Sequence, residues 1–218
     1  MEPGNIREVE RGTLTRARRT ARPWLVVWGI EWRIAGARRR LFALNTAIPL
    51  VLVLPVALGG APAGHAAAVY AVLFVLFGTF GAAIPLIRDA GDGILRRIAL
   101  TGLPPRHLLG ERLLAQTLLD TAQLLPALAV IATTGHADTA TLLALPAILG
   151  AALIAANALG TCIAALARSL AETALFAAVA ALLALHGAGV FRTPTPGSVG
   201  AWIERAIPFR YLHETLLR

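Results

Sequence analysis

The 218 residues are 57% hydrophobic and 15% charged, where a soluble domain carries about 25% charged residues. Formal net charge is +8 and every basic residue is arginine. Together with apolar runs long enough to cross about 30 Å of hydrocarbon, this composition excludes an ordinary soluble helical protein and ties the basic surplus to a bilayer rather than to nucleic acid. Arginine without lysine, beside abundant Ala, Leu and Gly, points to a GC-rich bacterial gene. The single cysteine, Cys162, lies in an apolar run and reads as a packing residue, and no Cys/His cluster has zinc spacing.

Residues 1–22 hold Arg7, Arg11, Arg16, Arg18, Arg19 and Arg22 with few apolar residues. No apolar core follows at signal-peptide distance, so the segment reads as a basic tail near anionic headgroups. Residues 23–40 read as an interfacial helix: Pro23 suits a first helical turn, Trp24, Trp28 and Trp32 share one face, and Arg33, Arg38, Arg39 and Arg40 follow. Five spans are then predicted, over about 41–58, 66–87, 113–133, 140–166 and 173–191. Pro49 and Pro55 fall inside the first, which membrane helices tolerate. A polar island, 88–112, separates the second span from the third. Beyond 191, Pro194 and Pro196 break any helix. Ser198 suits the cap of a short helix carrying Trp202, and Pro208 separates it from a further turn or two. That tail is expected to form an interfacial or re-entrant hairpin. The expected fold is thus an all-α membrane protein, with a basic tail (1–22) ahead of one transmembrane domain (23–218).

Arginine counts set the expected orientation. The N-terminal segment holds ten, the island five and the 168 turn one, whereas the loops 59–65 and 134–139 hold none. The positive-inside rule then places the N-terminus and the island in the cytoplasm of a bacterial inner membrane. Five spans leave the C-terminus outside, so either a further span is missing or the tail folds back.

Motif by motif, chemistry is scarce. A phosphate loop requires a lysine, and none exists here; no serine-hydrolase or zincin motif is present. Within the third span, Gln116, Asp120 and Gln123 lie near one face, and an intramembrane carboxylate is either paired or functional. These three are candidates for a transport path. Asn157, Thr161 and Glu172 read as contacts between helices, and the small-residue runs at 150–152 and 155–160 as close-packing surfaces.

Two resemblances bear on the island. Asp89, Asp92, Gly93, Arg96 and Arg97 resemble the start of the CDP-alcohol phosphotransferase signature, but Arg106, Gly110 and Leu114 stand where that family has a glycine and two further aspartates, which leaves its metal cage incomplete. The order Asp89, Gly91, Asp92-Gly93, Ile94-Leu95-Arg96-Arg97-Ile98, Thr101 to Pro105 with Pro104 in the turn, then Leu109 to Arg112, resembles the cytoplasmic loop between the second and third spans of type-2 ABC exporter permeases. The Trp/Arg helix and the segment Ile207 to Leu212, which is similar to the stretch ahead of that family's sixth span, extend the likeness over 23–218. The resemblance implies a permease that is not itself an enzyme. It implies a dimer with a second copy or paralogue, set among membrane lipids. Its motor would be a separate nucleotide-binding ATPase, so this chain needs no cofactor and ATP and Mg belong to the partner. Residues 89–98 and Pro104 would take the ATPase's stroke, and the cargo class would be lipid, drug, peptide or glycan. A haem exporter subunit is a related possibility, although the five histidines are scattered. A non-transporting membrane or immunity-type component is a further alternative.

Overall fold

The computed structural model describes residues 29, 32–33, 36–37, 39–100, 104–134, 139–192 and 194–217. From residue 39 on, the described residues form, in order, α1 (Arg39–Leu58), α2 (Ala63–Gly91), α3 (Ile94–Ala99), α4 (Pro105–Thr134), α5 (Thr139–Leu166), α6 (Leu170–Gly187), α7 (Val199–Ala206) and α8 (Phe209–Leu217). No strand occurs among the described residues. Among the described residues, five helices (α1, α2, α4, α5 and α6) are long and apolar enough to cross a membrane. This is the all-helical, five-span fold expected from the apolar runs, with short helices added. Residues 29, 32, 33, 36 and 37 are helical, and Trp32 is exposed. Trp24 and Trp28 lie outside the described residues.

Alanine and leucine make these segments good helix formers, and proline does not stop them: Pro49, Pro55, Pro85, Pro126 and Pro146 all lie inside helices. The ends are set by specific polar groups. Ser169 accepts the Glu172 amide at 3.1 Å, and the Glu172 carboxylate accepts the Arg168 amide at 2.8 Å. This pair of caps starts α6 at Leu170, three residues before the expected position, and makes Glu172 a cap rather than a contact between helices. At the other end, the Val190 amide donates to Leu185 at 3.2 Å and the Gly189 amide to His186 at 3.1 Å. With Gly189 at φ +77°, this is a Schellman stop, so the fifth span ends at Gly187 and not near 191. The third span also begins earlier than expected. Pro104 accepts amides from His107 and Leu108, and residues 105–112 form the first turns of α4 rather than island loop.

Packing centres on α2, which lies against α5 and α6, while α1 packs mainly against α4. Across the α2–α5 seam the backbones nearly touch. A Cβ on Gly160 would collide with the Thr79 carbonyl oxygen, and one on Gly78 would come within 2.9 Å of the Ala156 Cβ. The run 155–160 therefore does serve close packing, whereas a Cβ on Gly150 would meet open space. Thr161 is turned onto its own helix, its hydroxyl donating to the Asn157 carbonyl at 2.8 Å. The main core joins Phe74, Leu124, Leu149, Leu153 and Leu185 to Phe209 and Leu212 of α8. A second cluster of Ala83, Leu86, Ile163, Ala164 and Ala177 fills the end of the bundle next to α3.

The tail forms two helices about Pro208. Ser198 caps α7 by accepting the Ala201 amide at 3.3 Å. Arg210 donates to Glu214 at 2.7 Å and lies 3.5 Å from Glu204. The Tyr211 hydroxyl reaches the Arg205 carbonyl at 3.1 Å. The hairpin is thereby closed on itself, and α8 is seated on α2, α5 and α6.

Candidate coupling and transport site

The island is compact because of one backbone angle. Helix α2 ends at Gly91, the Asp92 amide donating to the Arg88 carbonyl at 2.9 Å. Gly93 then sits at φ +69°, a conformation glycine adopts without the Cβ penalty other residues meet. It turns the chain so that Ile94 opens a new helix, with the Arg97 amide closing on the Gly93 carbonyl at 3.1 Å. The short helix α3 has two faces. Leu95 packs into the cluster around Ala83 and Leu86, and Ile98 is half-buried. Ile94 (39% exposed), Leu100 (82% exposed), Arg96 and Arg97 face outward. Pro104 is exposed just before α4.

Two ties hold this projection to the bundle. Leu95 is one. The other is an ion pair between Asp89, at the end of α2, and Arg112, near the start of α4. Nothing in the sequence spacing says that residues 89 and 112 meet.

Behind the projection lies a cavity of about 570 Å³ between α1, α2 and α4. Its wall is largely apolar, with Phe42 from α1, Phe77, Phe80 and Ile84 from α2, and Leu119 from α4. Asp89 and Asp92 stand at its island end, and Gln116, Asp120 and Gln123 line it deeper in. The cavity therefore brings the coupling candidates and the path candidates onto one continuous surface.

Asp120 is only 1% exposed. The Gln116 side-chain amide donates to its Oδ1 at 2.8 Å and that of Asn157, from α5, to its Oδ2 at 3.0 Å. The same Asn157 group lies 3.2 Å from the Thr117 hydroxyl. From α2, Gly81 lies against the carboxylate: a Cβ there would come within 3.0 and 3.1 Å of its two oxygens. The contact between helices expected of Asn157 runs to Asp120; the parts of Thr117 and Gly81 are not legible in the sequence. A threonine and a glycine in an apolar run carry no periodic signal of what they face.

The phosphotransferase likeness finds no support. Asp89 is engaged by Arg112, and no group of three His, Cys, Asp or Glu side chains comes together among the described residues.

No match to a curated protein or to a solved structure was found. The family model described as ABC-2 type transporter matches residues 25–218. That is nearly the whole chain, and the family is one of transporter membrane subunits that normally work with an ATPase subunit. The five long apolar helices agree with a multi-pass membrane permease. The chain belongs to the ABC-2 type transporter membrane family.

Proposed function

We propose that this permease is an exporter driven by a separate nucleotide-binding ATPase docking on α3, with ATP and Mg held by that partner. Two permease chains, identical or paralogous, would form the pathway between them among membrane lipids. The N-terminus and α3 would lie in the cytoplasm of a bacterial inner membrane, as the arginine distribution favours. The cargo would be a lipid, drug, peptide or glycan.

The observation that supports this reading best is the form of α3. It is a short helix standing off the bundle, with an apolar and arginine-bearing outer face (Ile94, Arg96, Arg97, Leu100), and Leu95 and the Asp89–Arg112 pair tie its base to α2 and α4. A push on its outer face reaches two spanning helices at once, as a rigid-body transition requires.

The test is purification from native membranes in mild detergent with an ATPase assay. Combined R96E, R97E and L100D changes, all outward-facing, are expected to release a co-purifying ATPase while the permease stays monodisperse. Isolation of the unaltered chain with no ATPase and no ATP turnover would overturn the reading.

A further inference from the structure

We propose that the cavity between α1, α2 and α4 binds a lipophilic organic cation, with the Asp120 carboxylate as its counter-charge. This inference rests on the permease reading and gives it a cargo class.

The cavity's volume of about 570 Å³ lies within the range of about 300–1,000 Å³ typical of small-molecule sites. Its walls suit an apolar body, and the aromatic lining of Phe42, Phe77 and Phe80 suits a positive centre in particular. Its charge is biased the same way. Among the described residues lining it, Arg88 is the one basic side chain, against Asp89, Asp92 and Asp120.

Asp120 carries the argument furthest. Its two oxygens accept hydrogen bonds from two neutral amides. These orient a carboxylate but bring no positive charge to it. No arginine forms an ion pair with it among the described residues. A carboxylate placed deep in a span without a cation is costly, and a cationic ligand relieves that cost. Gly81, lacking a Cβ, lets α2 pack against both oxygens, so the carboxylate acts on the cavity from within its wall as a fixed charge. An anion of the same size would meet the same apolar walls and a repulsive floor.

The probe is radiolabelled tetraphenylphosphonium, added to the full chain in nanodiscs with empty nanodiscs as background. Tetraphenylborate, nearly identical in shape and opposite in charge, is measured in a separate sample. Saturable binding of the phosphonium and none of the borate is expected. D120N is expected to weaken phosphonium binding about tenfold or more, by removing the charge while keeping the shape. L76W, which fills the cavity from α2 and leaves Asp120 in place, is expected to weaken it as strongly, so the inference stays testable if D120N misfolds. Equal binding of the borate, unchanged binding by both variants, or no saturable phosphonium binding would each overturn the inference. None of these measurements involves the ATPase, so retention of that partner with no phosphonium binding would defeat the cargo class alone.

Discussion

Asp89 and Arg112 meet at 2.5 Å with both side chains largely buried, joining the last turns of α2 to the first turns of α4 across the base of α3. Because α3 is fastened between those same helices, this pair decides whether they move together. D89A and R112A are each expected to lower thermal stability in detergent and to uncouple transport from ATP turnover. In a double-mutant cycle the pair is expected to contribute about 1 kcal/mol, and the exchange D89R/R112D should recover part of the lost coupling. Additive single effects, with no recovery on exchange, would deny the pair this role.

The contrast between Gly160 and Gly150 tests the α2–α5 seam. A Cβ at Gly160 runs into the Thr79 carbonyl, and a Cβ at Gly150 meets nothing within 4 Å. G160A is expected to destabilise by about 1–3 kcal/mol through backbone displacement, and G150A to leave the melting temperature almost unchanged. Equal effects of the two would place the close contact elsewhere.

Asn157 supplies one of the two amide donors to Asp120. N157L is expected to cost about 1–2 kcal/mol. N157D, which sets a second carboxylate against the first, should be worse than N157L, as melting temperatures of the purified variants will show. A milder N157D would mean that the two side chains are not in contact.

Gly93 tests the turn rather than the docking face. Its φ of +69° makes G93A cost about 1 kcal/mol of local strain. The expected outcome is an intact bundle with α3 misdirected: ATPase stimulation falls, while the melting temperature of the whole chain shifts little. Normal stimulation in G93A would show that α3's direction is not transmitted.

His213 gives the tail a pH dependence. Burial holds its pKa below the ordinary 6.5, opposed only by neighbouring Glu214, and its Nε2 is buried without a hydrogen-bond partner. A depressed histidine favours the docked form while neutral. The contribution is therefore complete above pH 6.5 and is lost as pH falls from there through the lowered value. Protection factors across 209–217, which remove the slowing of intrinsic exchange in acid, are expected to fall on acidification below about pH 6.5. H213Q should remove that dependence. Protection factors unchanged by acid in the unaltered chain would show that His213 does not govern docking.

Much of the fold could be read from the chain because lipid imposes simple demands. Runs of eighteen or more apolar residues have little alternative to spanning helices. The helix ends were less legible. The start at Leu170 depends on two side chains reaching back to backbone amides, and the stop at Gly187 on the left-handed Gly189. Both signals are local, but an apolar count runs straight past them. At the site, Gln116 and Asp120 were visible as a pair one helical turn apart. Their partners were not, since Asn157 lies 37 residues away and Gly81 acts by lacking a side chain. On α3 the hydrophobic residues looked alike in sequence, and only packing separates Leu95, turned inward, from Ile94 and Leu100, turned out.

The near-contact of Gly160 with the Thr79 carbonyl has a mechanical meaning as well. Two helices that touch backbone to backbone have no side chains between them to act as a cushion, so one cannot slide past the other without first lifting away. α2 and α5 are therefore coupled like the two flanges of a single beam. That beam carries α3 at one end and α8 along its flank, so a tilt imposed at the arginine-bearing end is carried to the C-terminal hairpin as well.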